Sequence, residues 1–359
     1  MGGNQVKHEA TKGRGATLQI EGHFESVARE RVDDGWGMAD EELPPFKTTV
    51  TIDSAKSVIQ RNDSPDLPFS LSLNAYRGCE HGCIYCYARP SHAYLNLSPG
   101  LDFETQLFAK PDAAKLLRAE LAKPSYRCSP IALGSNTDPY QPIERDWQIT
   151  RQILEVLAEH KHPVSIVTKS ALIERDLDLL TRLARDDLVQ VYISVTTLDA
   201  GLARHMEPRA ASPRRRLQAI RMLNEAGVPC GVMVAPVIPF LTDAELEQVL
   251  QAAHQHGARS AGYALLRLPY ELKDLFRDWL ATHYPLKAGH VMSRMREMRG
   301  GRDNDPEFGS RFRGNGLFAD LLAQRFSKAC GRLGFNLEDR PLVTGLFKPP
   351  SRNGQIDLF

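Results

Sequence analysis

The chain has 359 residues, of which 42% are hydrophobic and 25% charged, with a formal net charge of +1. These values suit a globular protein of one large domain with extensions, or of two domains, and leave no global pull toward nucleic acid, so any such pull must be local. No apolar run approaches the roughly eighteen residues of a membrane span, and the start Met1-Gly-Gly-Asn-Gln5 lacks an apolar h-region, so neither a membrane segment nor a secretory signal is expected.

Residues 1–65 read as an extension without a core of its own. Met1 to Gly15 is polar and glycine-rich, too poor in apolar side chains to offset the entropy of ordering, and is expected to be disordered. Phe24 to Arg31 suits a short helix, Asp33-Asp-Gly-Trp-Gly37 a turn, and Pro44-Pro45 a break. Thr48-Thr-Val-Thr-Ile52 is a β-branched run that suits one strand. Trp36 is expected to anchor this arm onto the main body rather than to stack on a ligand.

Residues 66–285 begin with Ser70-Leu-Ser-Leu-Asn-Ala75, which leads into Arg77-Gly-Cys-Glu-His-Gly-Cys-Ile-Tyr-Cys-Tyr-Ala-Arg-Pro90. Three of the six cysteines, Cys79, Cys83 and Cys86, are spaced here as C-x3-C-x2-C. Thiolates this close repel one another unless a cation or cluster sits between them. A zinc site would need a fourth ligand, with His81 and His92 as candidates. Cys128, Cys230 and Cys330 stand alone and form no second half-site. Three thiolates without an obvious fourth describe a [4Fe–4S] cluster with one iron open to an outside ligand. Gly78 and Gly82 let the loop fold tightly around such a group. A disulfide framework is not expected without a secretory segment, and reduced, clustered cysteines point to the cytoplasm.

Apolar runs then recur about thirty residues apart, the length of a βαβ step. They are Pro130–Ser135, Pro163–Thr168, Val189–Val195, Gly231–Val237 and Ser260–Leu266. Helical patterns lie between them, at Asp112–Leu121, Ile149–His160, Asp176–Ala184, Pro213–Ala226 and Asp243–His256. Ser212-Pro213 and Thr242-Asp-Ala-Glu245 read as helix starts. Buried strands alternating with amphipathic helices predict an α/β fold of six parallel units. Chemistry in such a fold gathers at the C-terminal edge of the strands. Those edges carry Gly134-Ser-Asn-Thr-Asp-Pro-Tyr-Gln-Pro-Ile-Glu144, Thr168-Lys-Ser170, Ser194-Val-Thr-Thr197 and Ala235-Pro-Val-Ile-Pro239.

The run C-x3-C-x-aromatic-C, with Tyr85 as the aromatic, resembles the signature of the radical S-adenosylmethionine (SAM) superfamily. The resemblance implies a partial (β/α)6 TIM-type barrel, with a cluster on Cys79, Cys83 and Cys86 whose open iron chelates SAM. It also implies one-electron cleavage of SAM to a 5′-deoxyadenosyl radical that abstracts hydrogen, and an electron donor such as flavodoxin or ferredoxin. Within the superfamily the chain is most similar to the spore photoproduct lyase-related group. By position that likeness implies SAM contacts at Tyr85, Thr137, Asp138, Lys169 and Ser194. The lyase's hydrogen-donating cysteine falls where this chain has Ser135 or Asn136, which puts direct dimer reversal in question, and Cys128 lies beyond the other end of that strand. Tyr140 is the substitute hydrogen-donor candidate.

In Arg204–Leu217, three consecutive arginines, Arg214 to Arg216, oppose the dipole of the helix they open, so an anion is expected beside them, either a carboxylate such as Glu207 or a phosphate. Residues 286–345 read as a basic, mainly helical region. Positions 287–332 carry ten Lys/Arg and five acids, ten minus five giving +5. Arg294–Arg302 and Arg311–Gly316 interleave basic, aromatic and glycine residues, as a surface tracking a nucleic-acid backbone would. Leu317–Leu333 is the last predicted helix, closed by Gly334, with Cys330 in its apolar stripe. Residues 346–359 form a flexible tail. Its end, Gln355-Ile-Asp-Leu-Phe359, resembles the bacterial sliding-clamp binding motif, with Gln355 as a latch and Leu358 and Phe359 as anchors. The expected substrate is DNA, with RNA or a small molecule as the alternative. A metal-stabilised DNA-binding protein without catalysis is the rival from another class.

Overall fold

The computed structural model describes residues 6–7, 14–20, 22–23, 47–337 and 341–350. Among these residues the strands are β1 (Val6–Lys7), β2 (Leu18–Gln19), β3 (Thr49–Ile52), β4 (Ile59–Arg61), β5 (Leu71–Leu73) and β6 (Tyr76–Arg77). They continue with β7 (Gln106–Ala109), β8 (Ile131–Leu133), β9 (Val164–Thr168), β10 (Val189–Ser194), β11 (Cys230–Val237) and β12 (Ser260–Leu265). The main sheet runs β12-β11-β10-β9-β8-β5-β4. From β5 to β12 its neighbours are parallel, and β4 is antiparallel on the β5 edge. Each βα step adds a strand beside the previous one, giving the six expected units as an open, partial barrel. The strands are rich in valine and isoleucine, and β9 alternates buried and half-buried residues, as a parallel strand between a helical layer and a barrel interior should.

Between the strands lie helices Ala113–Leu121, Ile149–Glu159, Leu177–Ala184, Pro213–Glu225 and Leu246–Gln255, within a few residues of the predicted spans. Ser212 caps the fourth by accepting from Arg215 N at 3.4 Å, with Pro213 at its first position. The Thr242 capping box does not form. Thr242 Oγ1 instead bonds Ile238 N at 2.8 Å, and a 3-10 turn, Asp243–Glu245, precedes the helix. The rest of the main body adds Leu272–His283 and Pro285–Glu297, which pack on each other. Trp279 and Phe276 are fully buried there, each worth about 1.5–3 kcal/mol of apolar burial for a large side chain. The last helix, Leu317–Leu333, ends at Gly334 with φ 76° and packs on Leu246–Gln255. Cys330 is buried in it, whereas Leu317 and Leu321 at its start are exposed.

A second sheet, β3-β7-β6, sets up the site. β6 and β7 pair antiparallel, Tyr76 with Ala109 and Arg77 with Phe108. Residues 78–105 are thus one long excursion between two paired strands, and all three clustered cysteines ride on it.

Two expectations change in the structure. Of the polar start, the described residues are placed: β1 pairs with β2 and Gly15 is buried, while Ala16, Leu18 and Ile20 just past it are buried in the main core. These residues therefore share the barrel's core, because composition cannot register an arm that folds onto someone else's apolar surface. Five of the ten basic residues of 287–332 are tied down within the protein. Arg294 pairs with Glu297 at 2.6 Å, Arg296 with Asp303 at 2.8 Å, Arg311 with Asp66 at 2.5 Å and Arg325 with Glu247 at 2.7 Å. Arg299 is buried and donates to the Ser310, Arg311 and Leu266 carbonyls. The predicted helix at 24–31, the turn at 33–37, Trp36, Pro44-Pro45 and the Gln355–Phe359 motif lie outside the described residues.

Candidate active site

The cysteine loop is built from consecutive tight turns. Gly82 N donates to Cys79 O at 3.3 Å, Cys86 N to Cys83 O at 3.2 Å and Arg89 N to Cys86 O at 3.1 Å. Gly78 and Gly82 take φ of 73° and 67°, a left-handed backbone that a side chain would strain. A Cβ on Gly82 would also come within 2.8 Å of Glu104 Oε2.

Arg89 props the loop from beneath. Fully buried, it donates to the carbonyls of Cys83 (2.9 Å), Gly82 (3.1 Å), Pro99 (3.1 Å) and Gly100 (2.8 Å) and pairs with Glu104 at 2.5 Å. A buried guanidinium costs heavily unless its donors are matched, and this one is matched to the loop it positions. Glu104 in turn accepts from Gly15 N at 3.0 Å and Ala16 N at 2.9 Å.

Cys79 and Cys83 are buried and Cys86 half-buried, all as free thiols. Burial pushes each thiol up, and for Cys79 the neighbouring Asp138, Cys83 and Cys86 push further. The three side chains thus crowd one another electrostatically in a dry place, the environment a bound cationic group would relieve. Among the described residues, no three His, Cys, Asp or Glu converge as for a single ion. His92 Nε2 is held by the Gln106 carbonyl at 2.9 Å, and His81 Nδ1 stands 3.3 Å from Asp138. Neither imidazole joins the thiols, so the zinc alternative finds no ligand set. A cluster, whose irons are spread over a cube, needs no such convergence.

The strand edges surround this loop. Asn74, just past β5, accepts from Asn136 N at 3.0 Å and Thr137 N at 3.2 Å and pins the turn after β8. Asp138 is a tie-post. It accepts from Tyr140 N at 2.9 Å, Thr168 Oγ1 at 2.7 Å and Lys169 N at 2.8 Å. Burial alone would raise its carboxyl, but the His81 ring, the Thr168 hydroxyl and the Lys169 N–H outweigh that and hold it at about 2. Thr137 Oγ1 donates to Tyr76 O at 3.3 Å, and Ser194 Oγ to Ala235 O at 3.3 Å. Ser170 caps the 3-10 turn that follows, accepting from Leu172 N at 3.2 Å. Lys169 differs from these: its ammonium lies 5.7 Å from the centre of the Tyr85 ring, and among the described residues no carboxylate is bonded to it.

Tyr85 belongs to a buried network that sequence spacing only half exposes. Its hydroxyl bonds Glu207, which also takes Thr196 Oγ1 at 2.7 Å and the Arg216 guanidinium. Arg216 further donates to Ala211 O at 2.7 Å and Ser194 O at 3.1 Å. Arg215 pairs with Glu174 at 2.6 Å. The anion expected beside these arginines is therefore carboxylate, and the phosphate reading fails for both.

Tyr140 is fully buried, with the Arg175 guanidinium 5.9 Å from its ring centre and the Asp176 and Glu144 carboxylates near its hydroxyl. Two residues at the mouth were not anticipated. Tyr87, next to Cys86, bonds the Ser135 carbonyl through its hydroxyl. Arg267, just past β12, lies 5.9 Å from the Tyr87 ring centre and 4.8 Å from that of Phe312, with a buried Nε that has no hydrogen-bond partner. Adjacency to Cys86 could have flagged Tyr87; nothing local flags Arg267.

The comparisons agree with this layout. The chain is 42% identical over 234 residues to uncharacterized proteins of Mycobacterium bovis and Mycobacterium tuberculosis, spanning 65% of this chain and 68% of theirs. It is 30% identical over 173 residues to an uncharacterized protein of Methanocaldococcus jannaschii, spanning 48% of this chain and 62% of that one. Its fold is similar to that of spore photoproduct lyase, with a TM-score of 0.54 at 16% identity over 80% of both chains. A mutant of that lyase with bound AdoMet and dinucleoside spore photoproduct gives a TM-score of 0.56 at 15% identity, again over 80% of both. A model of the radical SAM superfamily, whose members use a [4Fe–4S] cluster and SAM, matches residues 73–253. Those residues carry the cysteine loop and the strand edges that face it, and the chain belongs to the radical SAM superfamily of enzymes.

Proposed function

We propose that this enzyme holds a [4Fe–4S] cluster on Cys79, Cys83 and Cys86 and acts on a nucleic-acid strand, DNA in the first instance. When bound, the cluster supplies the electron that cleaves SAM to the 5′-deoxyadenosyl radical. Of the residues expected around SAM, Lys169 has capacity left to bind it, because among the described residues its ammonium has no bonded carboxylate; its natural role is to hold the SAM carboxylate. Thr137, Asp138 and Ser194 are already bonded to the protein and serve to fix the rim. Tyr87 joins Tyr140 as a hydrogen-donor candidate, since its hydroxyl reaches the Ser135 carbonyl beside the third cysteine.

The observation that carries the substrate class is Arg267. Its guanidinium lies 5.9 Å from the Tyr87 ring centre and 4.8 Å from that of Phe312, and among the described residues no carboxylate is bonded to it. Burial and the neighbouring Arg311 lower its pKa. A cation held against aromatic faces, with Asp66 and Asp305 near but not bonded to it, suits a strand that brings phosphates and stackable bases together. The dinucleoside bound by the lyase named above is of the same chemical class.

The test has two parts. Anaerobic reconstitution with iron and sulfide, then reduction with SAM, should yield 5′-deoxyadenosine, and Cys83→Ala should abolish it. Arg267→Gln should weaken binding of labelled oligonucleotides uniformly across sequences and lower the log–log salt slope by about one. A colourless protein that cleaves no SAM would refute the cluster assignment. Unchanged oligonucleotide binding in the Arg267 variant would refute the substrate class alone.

A further inference from the structure

Gln141 is completely buried in the turn after β8, and a buried amide is costly unless both its ends are matched. Both are matched on the cysteine loop. Its Nε2 donates to the Gly78 carbonyl at 3.1 Å and its Oε1 accepts from Glu80 N at 2.8 Å, so one side chain grips the backbone on either side of Cys79. Cys79 itself is held through its N–H, which donates to Phe103 O at 2.9 Å, and its carbonyl, which accepts from Gly82 N at 3.3 Å. Arg89 holds the Gly82 and Cys83 carbonyls, in the later half of the loop, and Gln141 takes the earlier half. The turn that carries Gln141 also carries Asp138, whose carboxylate accepts from Lys169 N at 2.8 Å. Burial raises the Cys79 thiol most, and the Asp138 N–H opposes that rise. One turn thus bonds both the first cysteine's backbone and the strand edge of Lys169.

We infer that Gln141 is a positioning residue for the cluster, fixing Cys79 relative to the other two cysteines and to the strand edge of Lys169; the inference rests on the cluster assignment proposed above. It touches no thiol and acts only through the backbone of Gly78 and Glu80. Without it, that carbonyl and that N–H stay unmatched in a dry place, and the first thiol is free to drift from the other two. Groups that orient metal ligands from behind set affinity by about 10–100-fold. Hydrogen bonds to the ligand sulfurs are among the levers on a cluster's reduction potential. A drift of Cys79 away from the Asp138 N–H removes one such bond and makes the cluster harder to reduce.

The test compares three variants with the wild type, each reconstituted anaerobically with iron and sulfide. Gln141→Leu removes both hydrogen bonds. Gln141→Glu keeps the acceptor for Glu80 N but loses the donor to Gly78 O, and carries the test if the leucine variant does not fold. Thr150→Val is the control: Thr150 is buried and its Oγ1 donates to Pro139 O at 2.6 Å, so its loss loosens the same turn without touching the backbone beside Cys79. In Gln141→Leu the chelator concentration that strips half of the iron should fall about tenfold, and the midpoint potential of the cluster should become more negative. Gln141→Glu should shift the potential the same way, since it adds negative charge beside the loop. Thr150→Val should lower the unfolding midpoint of the iron-free protein and leave iron retention and potential as in the wild type. Wild-type retention and potential in both Gln141 variants would overturn the inference. Equal losses in Thr150→Val would also overturn it, making Gln141 one packing residue among others. A wild type that takes up no iron would instead overturn the cluster assignment, and the inference with it.

Discussion

Glu207 holds three parts of the site together through one side chain. It is buried and joins the cysteine loop through Tyr85, the β10 edge through Thr196 and the following helix through Arg216. A buried ion pair contributes little net stability while intact, but removing one partner strands the other charge in a low dielectric. Glu207→Ala should therefore cost about 3–5 kcal/mol in a denaturant titration, far more than loss of an exposed pair such as Arg118–Glu159. If Glu207→Ala proved as mild as Glu159→Ala, the network would be solvated rather than structural. Asp138 teaches a related point: a carboxylate that reads as a ligand by position is already occupied by Tyr140, Thr168 and Lys169 of its own chain.

Among the elements, the segment at residues 14–20 carries a role that its composition hides. Gly15 lies against the loop so closely that a Cβ there would sit 1.8 Å from the Gly82 carbonyl oxygen. Its N–H and that of Ala16 both end on Glu104, the residue that holds Arg89 under the cysteines. Gly15→Val must push this segment off the loop, because backbone rather than a flexible side chain stands in the way. The expected outcome is lower iron and sulfide content after reconstitution, together with faster proteolysis near the N-terminus. Iron content equal to the wild type would mean that Arg89 and Glu104 shape the loop without help from the segment.

The whole molecule should lose stability on mild acidification, and His162 is one identifiable cause. Its ring is buried at the start of β9, bonded to Tyr126 Oη at 2.7 Å and edge-on to Phe347 at 5.2 Å, so it ties the chain's end to the barrel. Burial lowers its pKa from 6.5 to about 4. The unfolded chain therefore takes up a proton below about pH 6.5 that the folded state refuses until about pH 4. This contribution is fully present above pH 6.5 and is lost as pH falls across that window, by about 3 kcal/mol from the shift. His162→Phe should flatten that part of the pH–stability curve. An identical slope in the variant would assign the acid sensitivity to other groups.

The sequence alone determined the cysteine loop, the six strand–helix units and the last helix with its Gly334 stop, because each rests on local spacing. A thiol triplet, a valine-rich run bounded by turns and an amphipathic stripe are written within a few residues. The tertiary structure decided everything that depends on distant partners. It paired Arg311 with Asp66 and Arg325 with Glu247, and so reduced the local excess of positive charge that a count along the chain implied. It drew Ala16 and Leu18 into the core, gave the arginine run its carboxylates, and left Arg267 with no bonded carboxylate among the described residues. Charge compensation and burial are set by which surfaces meet, and no window along the chain contains that information.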